Sequence, residues 1–126
     1  MMAYVYVFLG AGIGGAARHG VNLACARLFG MQFPWGTLSV NVIGSLLIGL
    51  LAGWFAFRSG GSSQHVRLFL VTGVLGGFTT FSAFSLDVAL LWERGAMGLS
   101  MTYVLLSVAV SVVAVFSGLA LARSLA

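Results

Sequence analysis

The chain has 126 residues, 60% of them hydrophobic, and its charged side chains are six arginines and two acids, with no lysine. A soluble domain of this size carries about thirty charged residues, and the mean hydropathy is +1.10, so water is not the solvent for most of this surface. That excludes an ordinary cytosolic enzyme, a secreted disulfide scaffold and a nucleic-acid module. The sequence pI near 10.3 comes from scarce acids rather than abundant bases, and no Lys/Arg cluster exists to neutralise a run of phosphates. Cys25 is the lone cysteine; it cannot form an intrachain disulfide and reads as a small side chain facing lipid or another helix.

A membrane helix needs about 20 mostly apolar residues. Four segments qualify, at about residues 3–28, 35–57, 66–92 and 98–121, and together they predict an all-α membrane protein in a single transmembrane domain. The breaks are short and carry turn chemistry: Gly30 and Pro34, then Ser59–Gly60–Gly61–Ser62–Ser63, then Glu93–Arg94–Gly95. Trp35, Trp54 and Trp92 fall near span ends, where amphipathic rings favour the interface. Met1–Leu9 has no Lys or Arg, so the first segment is expected to be a retained span rather than a signal peptide.

With four spans, the N-terminus, second loop and C-terminus share one side, which holds Arg58, Arg67 and Arg123. The other side holds Arg27 and Arg94, and Arg18 lies within a span. Such an even spread is hardly a positive-inside bias. It reads either as noise in a charge-poor chain or as dual topology, in which the chain inserts both ways and pairs antiparallel with itself.

In the first span, Gly10-Ala-Gly12-Ile-Gly14-Gly15 matches a dinucleotide-binding glycine pattern after a run, Tyr4–Leu9, that could pass for a strand. That site also needs an acid about 20 residues on, and the first acid here is Asp87. Close helix packing explains the glycines better: Gly10 and Gly14, Gly49 and Gly53, and Gly73 and Gly77 are small-xxx-small pairs. Arg18, four residues after Gly14, stays protonated and must meet water, an acid or carbonyls. It reads as a snorkelling side chain or as the positive potential of an anion vestibule. His19 is given no role.

The second span carries Thr37, Asn41 and Ser45 at four-residue spacing, one polar stripe. A buried Asn amide must find hydrogen-bond partners, either across helices or along an ion track. The third span is the densest in polar and small residues: Thr72-Gly73-Val-Leu-Gly76-Gly77-Phe78-Thr79-Thr80-Phe81-Ser82-Ala83-Phe84-Ser85. Gly-Gly followed by Thr-Thr predicts a helix broken near its middle, and broken membrane helices line cavities and coordinate ions. Phe81 and Phe84 present electropositive ring edges; plain packing is the competing reading. The fourth span repeats the stripe with Tyr103, Ser107 and Ser111.

Three stretches together carry a resemblance: Gly14-Gly15-Ala16-Ala17-Arg18, the run from Pro34 to Gly44 with Asn41, and the third-span motif above. The chain resembles the Fluc/CrcB fluoride channels over its whole length, and the third motif is the specific one. The resemblance implies a passive fluoride-exporting channel of the cell's inner membrane, not an enzyme. It also implies an antiparallel, dual-topology homodimer with a structural Na⁺ at the dimer interface. On that likeness the Na⁺ ligands are the backbone carbonyls of Gly76 and Thr79. The anion pathway is Asn41, Phe81, Phe84, Tyr103, Ser107 and Ser111, and the vestibule cation is Arg18. Ala83 stands where the family often has Thr, and Asp87 where Glu is expected. Two other classes compete. A proton-coupled small-cation exporter needs a membrane-embedded carboxylate, which the first span lacks. An accessory membrane subunit needs fewer buried hydroxyls than these stripes supply.

Overall fold

In the computed structural model, residues 1–57 and 64–125 are described, and all their regular structure is helical. Helix α1 is Met2–Phe29 and α2 is Trp35–Phe57; α3 is the short Gln64–Arg67, which runs into a π-helical stretch, Leu68–Leu75. Helix α4 is the single turn Gly76–Phe78, α5 is Phe81–Glu93 and α6 is Met97–Leu125. The expected Ser59–Ser63 turn and Arg58 lie outside the described residues.

Uninterrupted apolar sequence makes these helices long, and punctuation residues end them. Pro34 sits immediately before α2, where a missing N–H costs no helical bond. Gly30, at φ +81°, closes α1 with its N–H on the Ala26 carbonyl at 3.0 Å. Gly95, at φ +84°, turns the chain between α5 and α6. That left-handed backbone is costly for any residue with a Cβ.

Three stretches are long and apolar enough to cross a membrane: Trp35–Phe57, Gln64–Glu93 and Met97–Leu125. Three of the four expected spans coincide with these stretches, and the expected first span corresponds to one further long helix, α1. Helix α1 has the length, at 28 residues, but Arg18 and His19 lower its apolar character. It is one unbroken helix over Met2–Phe29, so the strand and turn of a dinucleotide site do not occur there.

The helices pair through glycines. A Cβ on Gly10 would meet the Gly73 Cα at 2.9 Å, and one on Gly14 would meet the Val74 carbonyl and, at 2.8 Å, the Phe78 nitrogen. A Cβ on Gly77 would strike the backbone of Ala11. Helix α1 thus lies backbone to backbone along the first half of the third span. Likewise Gly49 and Gly118 bring α2 against α6, with the Gly118 site 2.7 Å from the Leu50 nitrogen. Residue numbers rise together in both contacts, so each pair is parallel. In lipid, where apolar surface gains nothing by leaving the solvent, such close approach is what holds helices together.

The interior is thin. Among the described residues, Tyr103, Val40 and Ser100 are the largest side chains sealed almost completely from outside, while Phe8, Leu28, Phe81 and Phe116 point outward. An apolar exterior of this extent suits lipid or another protein surface, not water.

Candidate functional site

The third span bends the backbone away from α-geometry twice. In the π-helical stretch Leu68–Leu75, the Gly76 N–H reaches back five residues to the Val71 carbonyl, a helical defect that clusters at functional sites. After the single turn of α4, Thr79 (φ −89°, ψ 159°) and Thr80 (φ −155°, ψ 124°) are extended. The break predicted for Gly-Gly-Phe-Thr-Thr is therefore present, but it falls on the threonines. Gly76 has ordinary helical angles, and Gly77 is spent on the contact with Ala11. β-Branched side chains favour extended backbone.

The donors freed at the break find partners. The Thr79 N–H and hydroxyl both donate to the Leu75 carbonyl, at 3.0 and 2.9 Å. The Thr80 hydroxyl accepts from the Ala83 N–H at 3.1 Å and caps α5. The Thr80 N–H donates to Asn41 Oδ1 at 2.8 Å, and Asn41 Nδ2 donates to the Thr80 carbonyl at 3.0 Å. The Asn41 side chain thus pairs with Thr80 as a neighbouring strand would. In an unbroken α-helix the Thr80 N–H would bond to the Gly76 carbonyl; here that carbonyl is released from its helical donor.

Beside the break is a cavity of about 370 Å³, lined among others by Asn41, Ser45, Gly76, Thr79, Phe81, Phe84, Ser107 and Ser111. No lining residue is charged. The Ser107 and Ser111 hydroxyl oxygens are buried and have no hydrogen-bond partner among the described residues. Hydroxyls on a helix usually bond back to a preceding carbonyl, as Thr102 does to Gly98 at 2.8 Å on the same helix. Two unspent donors in one helix face are thus an exception within α6 itself.

Phe81 and Phe84 lie with ring centroids 5.6 Å apart and tilted by 48°. The Phe84 ring continues to Tyr103 at 5.1 Å, and Tyr103 meets Phe33 at 5.5 Å in a T-shaped contact. Tyr103 is fully enclosed, and its hydroxyl donates to Asp87 Oδ2 at 3.0 Å. Beyond it lies a second cavity of about 710 Å³, lined by residues including Asn22, Thr37, Asp87 and Arg94. The Arg94 guanidinium donates to the Gln32 carbonyl at its rim.

Of the residues singled out from the sequence, Asn41, Gly76, Thr79, Phe81, Phe84, Ser107 and Ser111 come together at the first cavity. Tyr103 lines neither cavity and stands between them. Arg18 is half-buried on α1 and also lines neither. Sequence reasoning missed three features: the π-helical stretch, the Asn41–Thr80 pairing and the Tyr103–Asp87 bond. Only the last left a trace, an acid in an acid-poor chain. Among the described residues no group of His, Cys, Asp and Glu could hold a metal ion by side chains.

Comparison with known proteins gives consistent matches. The family profile described as CrcB-like protein, Camphor Resistance (CrcB), matches residues 5–119. A protein of Rhodopseudomonas palustris (strain BisB5) named fluoride-specific ion channel FluC is 60% identical over 124 residues, which are 98% of this chain and 99% of that protein. Fluoride-specific ion channel FluC 2 of Nitrobacter hamburgensis is 57% identical with the same coverage. The Methylobacterium nodulans protein named fluoride-specific ion channel FluC is 58% identical over 123 residues, 98% of each chain. Matched over most of its length by the profile and over 98% of it by these relatives, the chain belongs to the CrcB-like family.

Proposed function

We propose that the chain is a fluoride-selective channel that lets fluoride leave the cell down its electrochemical gradient. The observation that carries this reading is the uncharged cavity with two unspent buried hydroxyls, Ser107 and Ser111, and the Phe81–Phe84 pair in its lining. Fluoride is small and holds its water tightly, so a pathway must replace that water with converging donors. The serine hydroxyls and the second Nδ2 hydrogen of Asn41 are such donors, and ring edges add positive potential without a fixed charge. A nearby ammonium or guanidinium would bind the anion too tightly for rapid release. Arg18 acts earlier, as the positive potential drawing anions towards the path, and Tyr103 continues the path beyond Phe84.

The working unit is an antiparallel homodimer in the inner membrane, each copy crossing it four times within one transmembrane domain. Support comes from the near-even distribution of arginine and from Phe81, which is 78% exposed on a single chain although it lines the cavity. A second copy would cover it. The backbone carbonyls of Gly76 and Thr79 suit a structural Na⁺ at the interface, because the break releases the Gly76 oxygen and unwound carbonyls are known cation ligands. Such an ion, held by carbonyls of both copies, would tie the two subunits together. The deciding experiment is fluoride efflux from liposomes holding purified protein. Efflux well above that of empty vesicles, with chloride retained, is expected; none from well-folded protein overturns the proposal.

A further inference from the structure

We infer that Asn41 is a positioning residue for the cation: by holding Thr80, it keeps the third span open and the Gly76 carbonyl free. The inference rests on the sodium reading above. An N–H left unpaired in an apolar interior is costly, so the Thr80 N–H will take whichever acceptor is in reach. Two compete for it. One is Asn41 Oδ1, which holds it at 2.8 Å; the other is the Gly76 carbonyl, one helical turn back along its own chain. If Asn41 is removed, the cheapest remedy is for the helix to close through Thr79 and Thr80. That closure consumes the Gly76 oxygen and withdraws it from any cation. Asn41 then serves both ions, lining the anion cavity while setting the geometry of the cation site.

Gly44 supports the same conclusion independently. It lies about one turn beyond Asn41 on α2, and a Cβ there would collide with Thr79 Cγ2. A larger residue there would have to displace the Thr79 side chain, whose hydroxyl is bonded to the Leu75 carbonyl at the break. The two residues form one device: Gly44 leaves room for Thr79 and Asn41 makes the bonds.

The test compares the wild type with N41L, N41D and G44A, each as full-length purified protein, in NaCl and in N-methylglucamine chloride. Leu keeps the γ-branched outline of Asn, in a bulkier side chain, without its hydrogen bonds, whereas Asp keeps the acceptor for Thr80. The first readout is the Na⁺ dependence of thermal unfolding. The second is an NMR correlation in protein carrying ¹³C′- and ¹⁵N-labelled threonine. Thr79–Thr80 is the chain's sole Thr-Thr pair, so one signal reports the Thr79 carbonyl and the Thr80 N–H together. Na⁺ is expected to stabilise the wild type and shift that signal. In N41L and G44A the Na⁺ concentration for half the effect should rise about tenfold or more, as expected for one lost hydrogen bond. N41D should keep the Na⁺ response. A folded N41L with the wild-type response overturns this inference and leaves the sodium reading intact. If N41L does not fold, loss of the response in folded N41D overturns it instead. A wild type blind to Na⁺ overturns the sodium reading and this inference with it, without touching fluoride transport.

Discussion

Two helix pairs in this chain use the same contact for different ends. Helix α1 meets the first half of the third span through Gly10, Gly14, Gly73 and Gly77, and α2 meets α6 through Gly49 and Gly118. The α2–α6 pair is formed by two continuous helices, and the hydroxyls it carries, Ser107 and Ser111, are left unspent. The other pair leads into a π-helical stretch and then into extended backbone. Close glycine packing therefore does not itself decide whether a helix runs straight. It anchors one flank of an irregular segment as readily as it aligns two regular ones. Two threonines just beyond the anchor, and an asparagine on a neighbouring helix, set the irregularity.

This contrast can be broken in graded steps. The largest effect is expected beyond the break, where F81I or F84I should lower fluoride efflux to that of empty vesicles while the protein keeps its size on gel filtration. Undiminished efflux in both variants would remove the ring edges from the mechanism. Next come the glycines. G14V and G118V each force a side chain into a neighbouring backbone, and each should cost about 3 kcal/mol, at the upper end for overpacking, read from thermal unfolding in detergent. If only one of them destabilises, the two contacts are not equivalent anchors. Third, S107A removes a hydroxyl that has no partner among the described residues, so stability should hold or rise slightly while fluoride efflux falls. A clear loss of stability would mean the hydroxyl is bonded within the bundle. The smallest effect is that of S100A. Its hydroxyl donates to the Val88 carbonyl at 3.0 Å, so about 1 kcal/mol of stability should go, with efflux nearly unchanged.

Much of this arrangement was legible in residue spacing. Four-residue recurrence put Asn41 with Ser45, and Ser107 with Ser111, and the two sets meet at one cavity. The small-xxx-small pairs predicted close contact and make it. The seat of the break was not legible to the residue, because glycine breaks helices in water but in a bundle is equally valued for packing; only the position of Ala11 shows that Gly77 is committed there. Thr37 and Tyr103 belong to the same periodic stripes, yet they sit beyond the first cavity. Periodicity assigns a face of a helix, not a depth along it. The Asn41–Thr80 bonds join residues 39 apart, and no local pattern announces a partner so distant.

The parallel pairing also constrains the order of assembly. Both parallel glycine contacts join helices that are not consecutive in the chain, so neither can close when only its first helix and the next have been made. Helix α1, with Arg18 partway along it, has its glycine partner only once the chain has been made through Gly77. Helix α2 must wait for Gly118, on the last described helix. The α2–α6 contact is therefore the later of the two to close. A nascent chain stopped before that point holds half its glycine contacts open, and it is then that quality-control proteases should find it easiest to seize.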